Sequence, residues 1–353
     1  MALPKVIATI RSTGPIGGIG VNPVTNRVYF INPDTDDGSV GVLDAAANRI
    51  ITRIRIGRLP FSLSINPRKN RIYVPNFRDS TLSVINGRSN RVLSTTRVGF
   101  RPDTAAASTR TGRVYVTSAA GTVSVVDGVT NKVRKTLRIG GRPSEIVIDE
   151  RTNQVYITNT VQNSVTVVNG RTQSILATIK VGSNPVILPA LNPATQRLYV
   201  ANNLSRFLSV VDCRTNKLLR NIPLGRLQSE VTLNPRTNRV YVSSAQVEGA
   251  GKLFVLSGTT HRVSATLALP TSSNMLINPA TNHLFISDFD KGRMLVYHAG
   301  SLKRIAILPH VTGNMALNPR TNRIYVGSDN VMTVIQDGRS TSAGNKRRRS
   351  SYS

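Results

Sequence analysis

The sequence lacks tryptophan, contains one cysteine and has few aromatic residues, which make up 5% of the chain. Because Cys213 is alone, a disulfide within the chain and a zinc cage built from cysteines are both excluded. The hydrophobic core must therefore consist mainly of Val, Ile, Leu and Ala, and the first two favour strands. No apolar run approaches the roughly 18 residues of a membrane-spanning helix.

Acidic residues are also scarce: 17 Asp and Glu stand against 46 Lys and Arg, for a formal net charge of +29. Such an excess favours polyanionic partners, namely nucleic acid, anionic lipid surfaces or acidic glycans. The alternative is a coding bias that places arginine at solvated turns. The N-terminus shows no secretory signal, which makes the cytoplasm the default expectation. We expect a monomer with an unknown protein or anionic polymer as partner.

One phrase recurs along the chain: Asn-Pro-x-Thr-Asn-Arg, followed by an aliphatic residue, an aromatic residue and another aliphatic residue. Successive aromatic anchors are 44, 42, 41, 43, 42, 44 and 40 residues apart. The anchors are Tyr29, Tyr73, Tyr115, Tyr156, Tyr199, Tyr241, Phe285 and Tyr325. Eight strand-rich repeats with a period near 42 predict an all-β, closed eight-bladed β-propeller of four-stranded antiparallel blades.

The two ends of the chain predict how the ring closes. The eighth repeat has no fourth strand, and Lys5–Arg11 (KVIATIR) closely matches Ser174–Lys180 (SILATIK), which is the fourth strand of another repeat. We therefore expect the N-terminal strand to complete the last blade, which removes exposed sheet edges. The predicted propeller spans residues 1–338. Residues 339–353 are rich in Ser, Gly and basic residues and predict a disordered basic tail.

The repeat resembles the YVTN-repeat β-propellers. The similarity is carried by Tyr156–Asn159 (YITN), Tyr199–Asn202 (YVAN), Val123–Asn131 and Ala177–Gly182, and it covers residues 5–338. The resemblance implies a scaffold class that includes surface-layer, cell-envelope and periplasmic proteins, one branch that binds single-stranded DNA, and distant lyase and haem-bearing relatives. It also implies that an extracytoplasmic location is possible. Members of the family often have seven blades, whereas eight repeats are counted here.

The mouth of the central channel is the expected ligand site, because loops between blades converge there. The fourth residue before the Asn-Pro position and the loops before it supply polar candidates. These mouth residues are Arg58, Arg101, Thr104, Arg142, Glu145, Arg226, Glu230, Asn274 and Asn314. Arginines would suit an anionic ligand or a sugar. The alternative is a water-filled channel with a polar lining.

The opposite face is predicted to carry most of the positive charge, because the repeated turns place arginine there. The candidates for nucleic-acid binding are Arg27, Arg71, Arg113, Arg197, Arg239 and Arg323, with Lys346, Arg347, Arg348 and Arg349 in the tail. Phosphate backbones would bind such a disc without sequence specificity. Single-strand binding also needs exposed aromatic rings, for which only Phe100 and Phe207 are evident candidates.

Catalytic and metal-binding patterns are weak. Glu145 and Glu230 are two blades apart, the four histidines show no zinc spacing, and a haem attachment sequence is absent. Asp34–Ser39 could hold calcium but is equally typical of a turn. We therefore predict no catalytic residue, no metal and no cofactor. The predicted function is a non-enzymatic binding scaffold; the alternatives are a binder of polyanions such as single-stranded nucleic acid, and a lyase or lactonase acting at the channel mouth.

Overall fold

A computed structural model describes residues 3–33, 38–225, 227–245, 251–270 and 274–338. Within these residues the secondary structure consists of strands, with no helix and so none able to cross a membrane. The strands form eight separate antiparallel sheets of four strands each. The predicted eight-bladed propeller is thereby confirmed. The predicted tail, with Lys346 to Arg349, lies outside the described residues.

Blades 1 to 4 follow the chain without interruption, and each contributes strands A, B, C and D in order. Their strands are β2 (Ile19–Asn22), β3 (Arg27–Asn32), β4 (Ser39–Asp44) and β5 (Arg49–Arg55); β6 (Ser64–Asn66), β7 (Arg71–Asn76), β8 (Thr81–Asn86) and β9 (Arg91–Arg97); β10 (Pro102–Ala107), β11 (Arg113–Ser118), β12 (Thr122–Asp127) and β13 (Val133–Arg138); and β14 (Pro143–Asp149), β15 (Gln154–Asn159), β16 (Ser164–Asn169) and β17 (Ile175–Lys180).

Blades 5 to 7 repeat this order, and in blade 8 the outer strand is formed by the N-terminal residues of the chain. Their strands are β18 (Ala190–Asn192), β19 (Arg197–Val200), β20 (Phe207–Asp212) and β21 (Lys217–Pro223); β22 (Gln228–Asn234), β23 (Arg239–Ser244), β24 (Gly251–Ser257) and β25 (Val263–Leu269); β26 (Met275–Asn278), β27 (His283–Asp288), β28 (Arg293–His298) and β29 (Arg304–Pro309); and β30 (Asn314–Asn318), β31 (Arg323–Ser328), β32 (Val331–Gln336) and β1 (Lys5–Arg11).

The A strands surround the axis of the ring. Each A strand contacts the A strand of the next blade, and β30 contacts β2. The B and C strands are almost wholly buried, whereas the D strands show the alternating exposure of an outer edge. The core consequently lies between neighbouring blades, where the anchor aromatics are 0% exposed. Two faces result: one carries the D–A and B–C loops, the other the A–B and C–D turns.

A ring of buried and partly buried hydrogen bonds joins neighbouring blades at the level of the A–B turns. The first residue of each Asn-Pro phrase is at most 1% exposed and contacts a polar group of an adjacent blade at 2.7–3.0 Å. Around the ring the pairs are Asn22–Asn70, Asn66–Ser108, Ser108–Glu150, Asp149–Gln196, Asn192–Asn238, Asn234–Asn282, Asn278–Asp337 and Asn318–Asn26. All eight blade interfaces are joined in this way.

The fifth residue of the phrase has a conformational reason for its identity. At this position the backbone φ lies between 48° and 71° in every repeat, in the left-handed region that favours Asn and Gly. The residues are Asn26, Asn70, Gly112, Asn153, Gln196, Asn238, Asn282 and Asn322. The phrase therefore shapes the turn and joins the blades with the same few side chains.

Removing one member of this ring should destabilise the whole propeller. Asn234 is 0% exposed and donates to Asn282 Oδ1 at 2.8 Å, so Asn234→Ala would leave a partly buried acceptor without its donor. We expect a loss of about 1–3 kcal/mol in the free energy of unfolding, measured by urea denaturation. Asn330→Ala, at an exposed loop position, is the control. Equal stability of the two variants would contradict this role.

The N-terminal strand should be needed for ring closure. β1 pairs with β32 from Lys5↔Gln336 to Arg11↔Val331, and Ile7 and Ile10 pack on the core between blades 8 and 1. Deleting residues 1–12 should lower the melting temperature by at least several degrees, because about six ladder residues and their apolar contacts disappear. Deleting residues 342–353 serves as the control. An unchanged melting temperature after the first deletion would count against closure by this strand.

Candidate binding sites at the channel mouth and on the two faces

A cavity of about 890 Å³ opens at the channel mouth on the D–A/B–C face. This volume falls within the range of small-molecule sites. Six A strands, β2, β14, β18, β22, β26 and β30, form its wall together with the D–A loop before β18 and Pro235 of the turn after β22. Apolar lining residues include Ile19, Ile187, Leu188, Val231, Leu233, Met275 and Met315. Polar lining residues include Glu145, Ser229, Glu230, Asn274 and Asn314.

The predicted mouth residues divide into two groups. Glu145, Glu230, Asn274 and Asn314 line the cavity, as the strand alignment predicted. The cavity wall does not include Thr104 or the arginines Arg58, Arg101 and Arg142. Arg226 lies outside the described residues. The cavity is thus lined by acids, amides and apolar groups, without the three described arginines that were expected beside them.

Hydrogen bonds tie part of the mouth into a chain across four blades. Glu230 in blade 6 accepts a hydrogen bond from the backbone N–H of Met275 in blade 7. Asn274 donates to Asn314 Oδ1 at 3.2 Å, and Asn314 donates to the carbonyl of Gly17 at 3.3 Å. These bonds hold the polar side chains in place around the rim.

Burial changes the protonation of the two glutamates. Burial raises the pKa of Glu230 to about 8, although the bond from Met275 N–H opposes the change. Burial also raises the pKa of Glu145 to about 7, and the neighbouring carboxylate of Asp103 adds to this. At neutral pH Glu230 is therefore mostly a neutral acid, able to donate as well as accept a hydrogen bond.

The cluster around Arg58 and Arg101 lies on the same face as the mouth. Arg58 pairs with Asp79 at 2.7 Å. The Arg101 guanidinium lies over the rings of Phe77 and Phe100. Arg142 is exposed beyond β13, where its charge lowers the pKa of Asp103, although burial dominates and the net shift is upward. Phe61 and Phe77 were not among the residues predicted for any site.

Four of the six repeat arginines on the A–B turns act between blades. These four donate to backbone carbonyls in the C–D turn of the next blade: Arg27 to Gly87 at 2.5 Å, Arg239 to Gly300 at 2.6 Å, Arg113 to Gly170, and Arg323 to Ala45. Arg197 instead pairs with Asp212 at 3.0 Å, and Arg71 contacts the carbonyl of Asn70 at 3.5 Å. All six are partly buried. Their binding of nucleic acid stays a prediction.

The cations of the C–D turns, by contrast, are exposed. They are Arg49, Arg88, Arg91, Lys132, Arg171, Arg214, Lys217, Arg262 and Lys303. Among the described residues, the acids of this face are Asp44, Asp127, Asp149, Glu150, Asp212 and Asp337. All six hold the framework through hydrogen bonds to turn amides or neighbouring side chains. Positive charge therefore dominates the A–B/C–D face.

Other reactive groups are enclosed. Cys213 is 1% exposed in a C–D turn, and burial raises the pKa of its thiol to about 11, which opposes a role as a nucleophile. His283 and Asp337 form a buried pair at 2.7 Å between blades 7 and 8. Within the described residues no three His, Cys, Asp or Glu side chains gather as a metal site would require. Residues 34–37 of the calcium candidate Asp34–Ser39, which include its three carboxylates, lie outside them.

The fold and these sites define the class: an eight-bladed β-propeller with a cavity at its channel mouth and one strongly basic face. No family model and no curated protein matches the chain. Among solved structures it is similar to "Dihydro-heme d1 dehydrogenase NirN in complex with DHE", with a TM-score of 0.72 and 14% identity. The match covers 84% of this chain and 66% of that one, just under two thirds of its length. This likeness shows the fold alone.

The raised pKa of Glu230 should make stability depend on pH. The folded state binds the proton more tightly than the unfolded state, so the protein should lose stability as pH rises from about 4.5 to about 8. Glu230→Gln stays neutral and can still accept from Met275 N–H. The melting temperature of the variant relative to the native protein should therefore rise across this range in a thermal melt series. Parallel curves would contradict the raised pKa.

Proposed function

We propose that this protein is a non-enzymatic binding propeller that holds an anionic polymer on its A–B/C–D face. The observation that carries the proposal is the set of exposed C–D cations, which face solvent while the few acids nearby are engaged in the framework. A polymer of phosphates or sulfates could contact many such cations at once. Binding of this kind depends on charge and spacing, with little readout of sequence.

The distribution of acids supports the choice of face. Asp79, Asp103, Glu145, Glu230, Asp288, Asp290 and Asp329 belong to the D–A/B–C side of the ring. The described acids of the other side are outnumbered by arginine and lysine at every blade except blade 4, where Asp149 and Glu150 equal Arg151 and Arg171 in number. A polyanion approaching the ring is therefore attracted most strongly to the A–B/C–D face.

Membership of the YVTN-repeat propellers is part of the proposal, and it rests on the repeated phrase rather than on any comparison.

A lyase or lactonase at the channel mouth has less support. Glu145 and Glu230 line the cavity from blades 4 and 6, with blade 5 between them. Neither carboxyl has a histidine or an arginine in hydrogen-bond contact among the described residues.

Charge reversal on the two faces tests the proposal. The variant Arg88→Glu, Arg91→Glu, Arg171→Glu, Arg214→Glu changes exposed C–D positions, and Arg97→Glu, Arg138→Glu, Lys252→Glu, Lys291→Glu makes the same change in net charge on the other face. Binding of fluorescent inorganic polyphosphate would be measured by anisotropy over a salt series. We expect the first variant to lose at least about tenfold more affinity than the second and to show a shallower salt dependence.

Two outcomes would overturn the proposal. One is the absence of polyphosphate binding by the native protein at low salt. The other is an equal loss of affinity in both variants, since that would make net charge, and not the A–B/C–D face, responsible. Melting curves of both variants would establish that the ring is intact.

A further inference from the structure

Three loops of blades 1 to 3 bring aromatic and basic side chains together on the D–A/B–C face. We call this the aromatic–arginine patch and define it as Phe61, Phe77, Phe100 and Arg101. Phe61 comes from the D–A loop that enters blade 2, Phe77 from the B–C loop of blade 2, and Phe100 and Arg101 from the D–A loop that enters blade 3. Residues about 40 positions apart in the sequence thus share one surface.

Backbone contacts hold the three loops in register. The N–H of Phe77 donates to the carbonyl of Leu59 at 3.3 Å, and the N–H of Arg101 donates to Ser80 Oγ at 3.3 Å. Leu59 and Arg101 adopt left-handed backbone conformations, with φ of 52° and 48°. The patch is therefore built on tight, hydrogen-bonded turns, which favours a fixed arrangement of its side chains.

The rings are left open to solvent in spite of their apolar character. Phe61 is 46% exposed and Phe100 is 57% exposed. The Arg101 guanidinium carbon lies 5.1 Å from the centroid of Phe100 and 5.7 Å from that of Phe77, within cation–π range. Phe61 meets Phe77 edge to face, at 5.4 Å and 71°. The result is a run of flat groups, ring–guanidinium–ring–ring, with Phe61 and Phe100 at its two ends.

Two further arginines lie on the loops that border the patch. Arg58, on the same D–A loop as Phe61, is 51% exposed and pairs with Asp79 at 2.7 Å, and Arg142 is exposed on the next D–A loop. The carbonyl of Phe61 lies against Gly18, which lines the channel cavity, so the patch extends to the rim of the mouth. A ligand that suits this surface combines flat π-systems with negative charge.

We propose that the aromatic–arginine patch binds unstacked bases of single-stranded nucleic acid. The bases would stack on Phe61 and Phe100, and the phosphates would lie beside Arg58, Arg101 and Arg142. Stacking platforms interleaved with cations are the pattern by which proteins hold single strands without sequence specificity. The inference rests on the proposed function for its choice of an anionic polymer and adds a contact to the bases, on the opposite face.

A protein partner fits this surface less well. Docking of an apolar protein surface requires a contiguous apolar patch, whereas here the rings alternate with a guanidinium and are bordered by further arginines. Duplex nucleic acid and polyphosphate also fit less well, because neither offers free base faces. The arrangement therefore distinguishes single strands from other polyanions.

The test compares two ligands that differ only in their bases: a short fluorescent oligothymidylate and an abasic strand of the same length. The native protein should bind the oligothymidylate more tightly at moderate salt. Phe61→Ala combined with Phe100→Ala should remove this preference and weaken oligothymidylate binding by about tenfold or more, with affinity for the abasic strand unchanged. Leu204→Ala, at a residue 62% exposed on the same face, is the control.

Two conservative variants separate stacking from other effects. Phe100→Leu keeps an apolar side chain without a ring, and Arg101→Lys keeps the charge without the flat guanidinium; both should weaken oligothymidylate binding more than abasic binding. The inference is overturned if the native protein does not prefer the oligothymidylate, or if the double variant retains the preference. If polyphosphate binding survives those results, the proposed function stands without this site. If only the oligothymidylate binds, the site stands and the A–B/C–D proposal fails.

Discussion

Neighbouring blades of this propeller are joined by one buried polar contact that recurs at every interface. The first side chain of each A–B turn reaches a polar group of an adjacent blade, from Asn22–Asn70 around to Asn318–Asn26. A blade has no complete core of its own, because its apolar faces are covered only by its neighbours. The polar ring therefore sets the register in which those apolar faces meet. At the same level five of the tyrosine anchors, Tyr241 among them, donate to carbonyls of the next blade's C–D turn.

The contacts between blades determine which positively charged side chains are available to bind a partner. The most regular arginines in the sequence, such as Arg27 and Arg239, bond to the carbonyls of the next blade and belong to the framework. The cations of the C–D turns recur less regularly. Their side chains face solvent and are not part of the described hydrogen bonds to carbonyls of the next blade. Regular repetition is typical of residues that join blades, as four of the six repeat arginines do, whereas ligand binding can be carried by a subset of blades. The charge available for a partner is thus best sought outside the repeated phrase.

The D–A/B–C face has a different chemistry, because loops there vary from blade to blade. At the channel mouth, burial shifts Glu230 and Glu145 toward the neutral form, and amides complete the rim. Beside it, the loops around blade 2 place aromatic rings and arginine in alternation. A cavity lined by polar and apolar groups therefore lies beside a surface of aromatic rings, and together they suit ligands with neutral polar or aromatic groups. The A–B/C–D face suits ligands that are recognised by negative charge alone.

The sequence by itself determined the number of blades, the strand order and the closing strand, because each copy of the repeated phrase encodes a turn with a left-handed fifth residue between two strands, and because Lys5–Arg11 matches the fourth strand of another repeat. It also identified four residues of the channel lining, since the start of strand A is equivalent in every blade. Only the tertiary structure decided which arginines are framework and which are free to bind, because hydrogen bonds to carbonyls about 60 residues away leave no local pattern. The tertiary structure also brings Phe61, Phe77 and Phe100 into one patch. The sequence contained a partial signal for this patch, because Phe77 and Phe100 are each followed by an arginine. Proximity between loops of different blades depends on the closed ring, and no local stretch of sequence contains it.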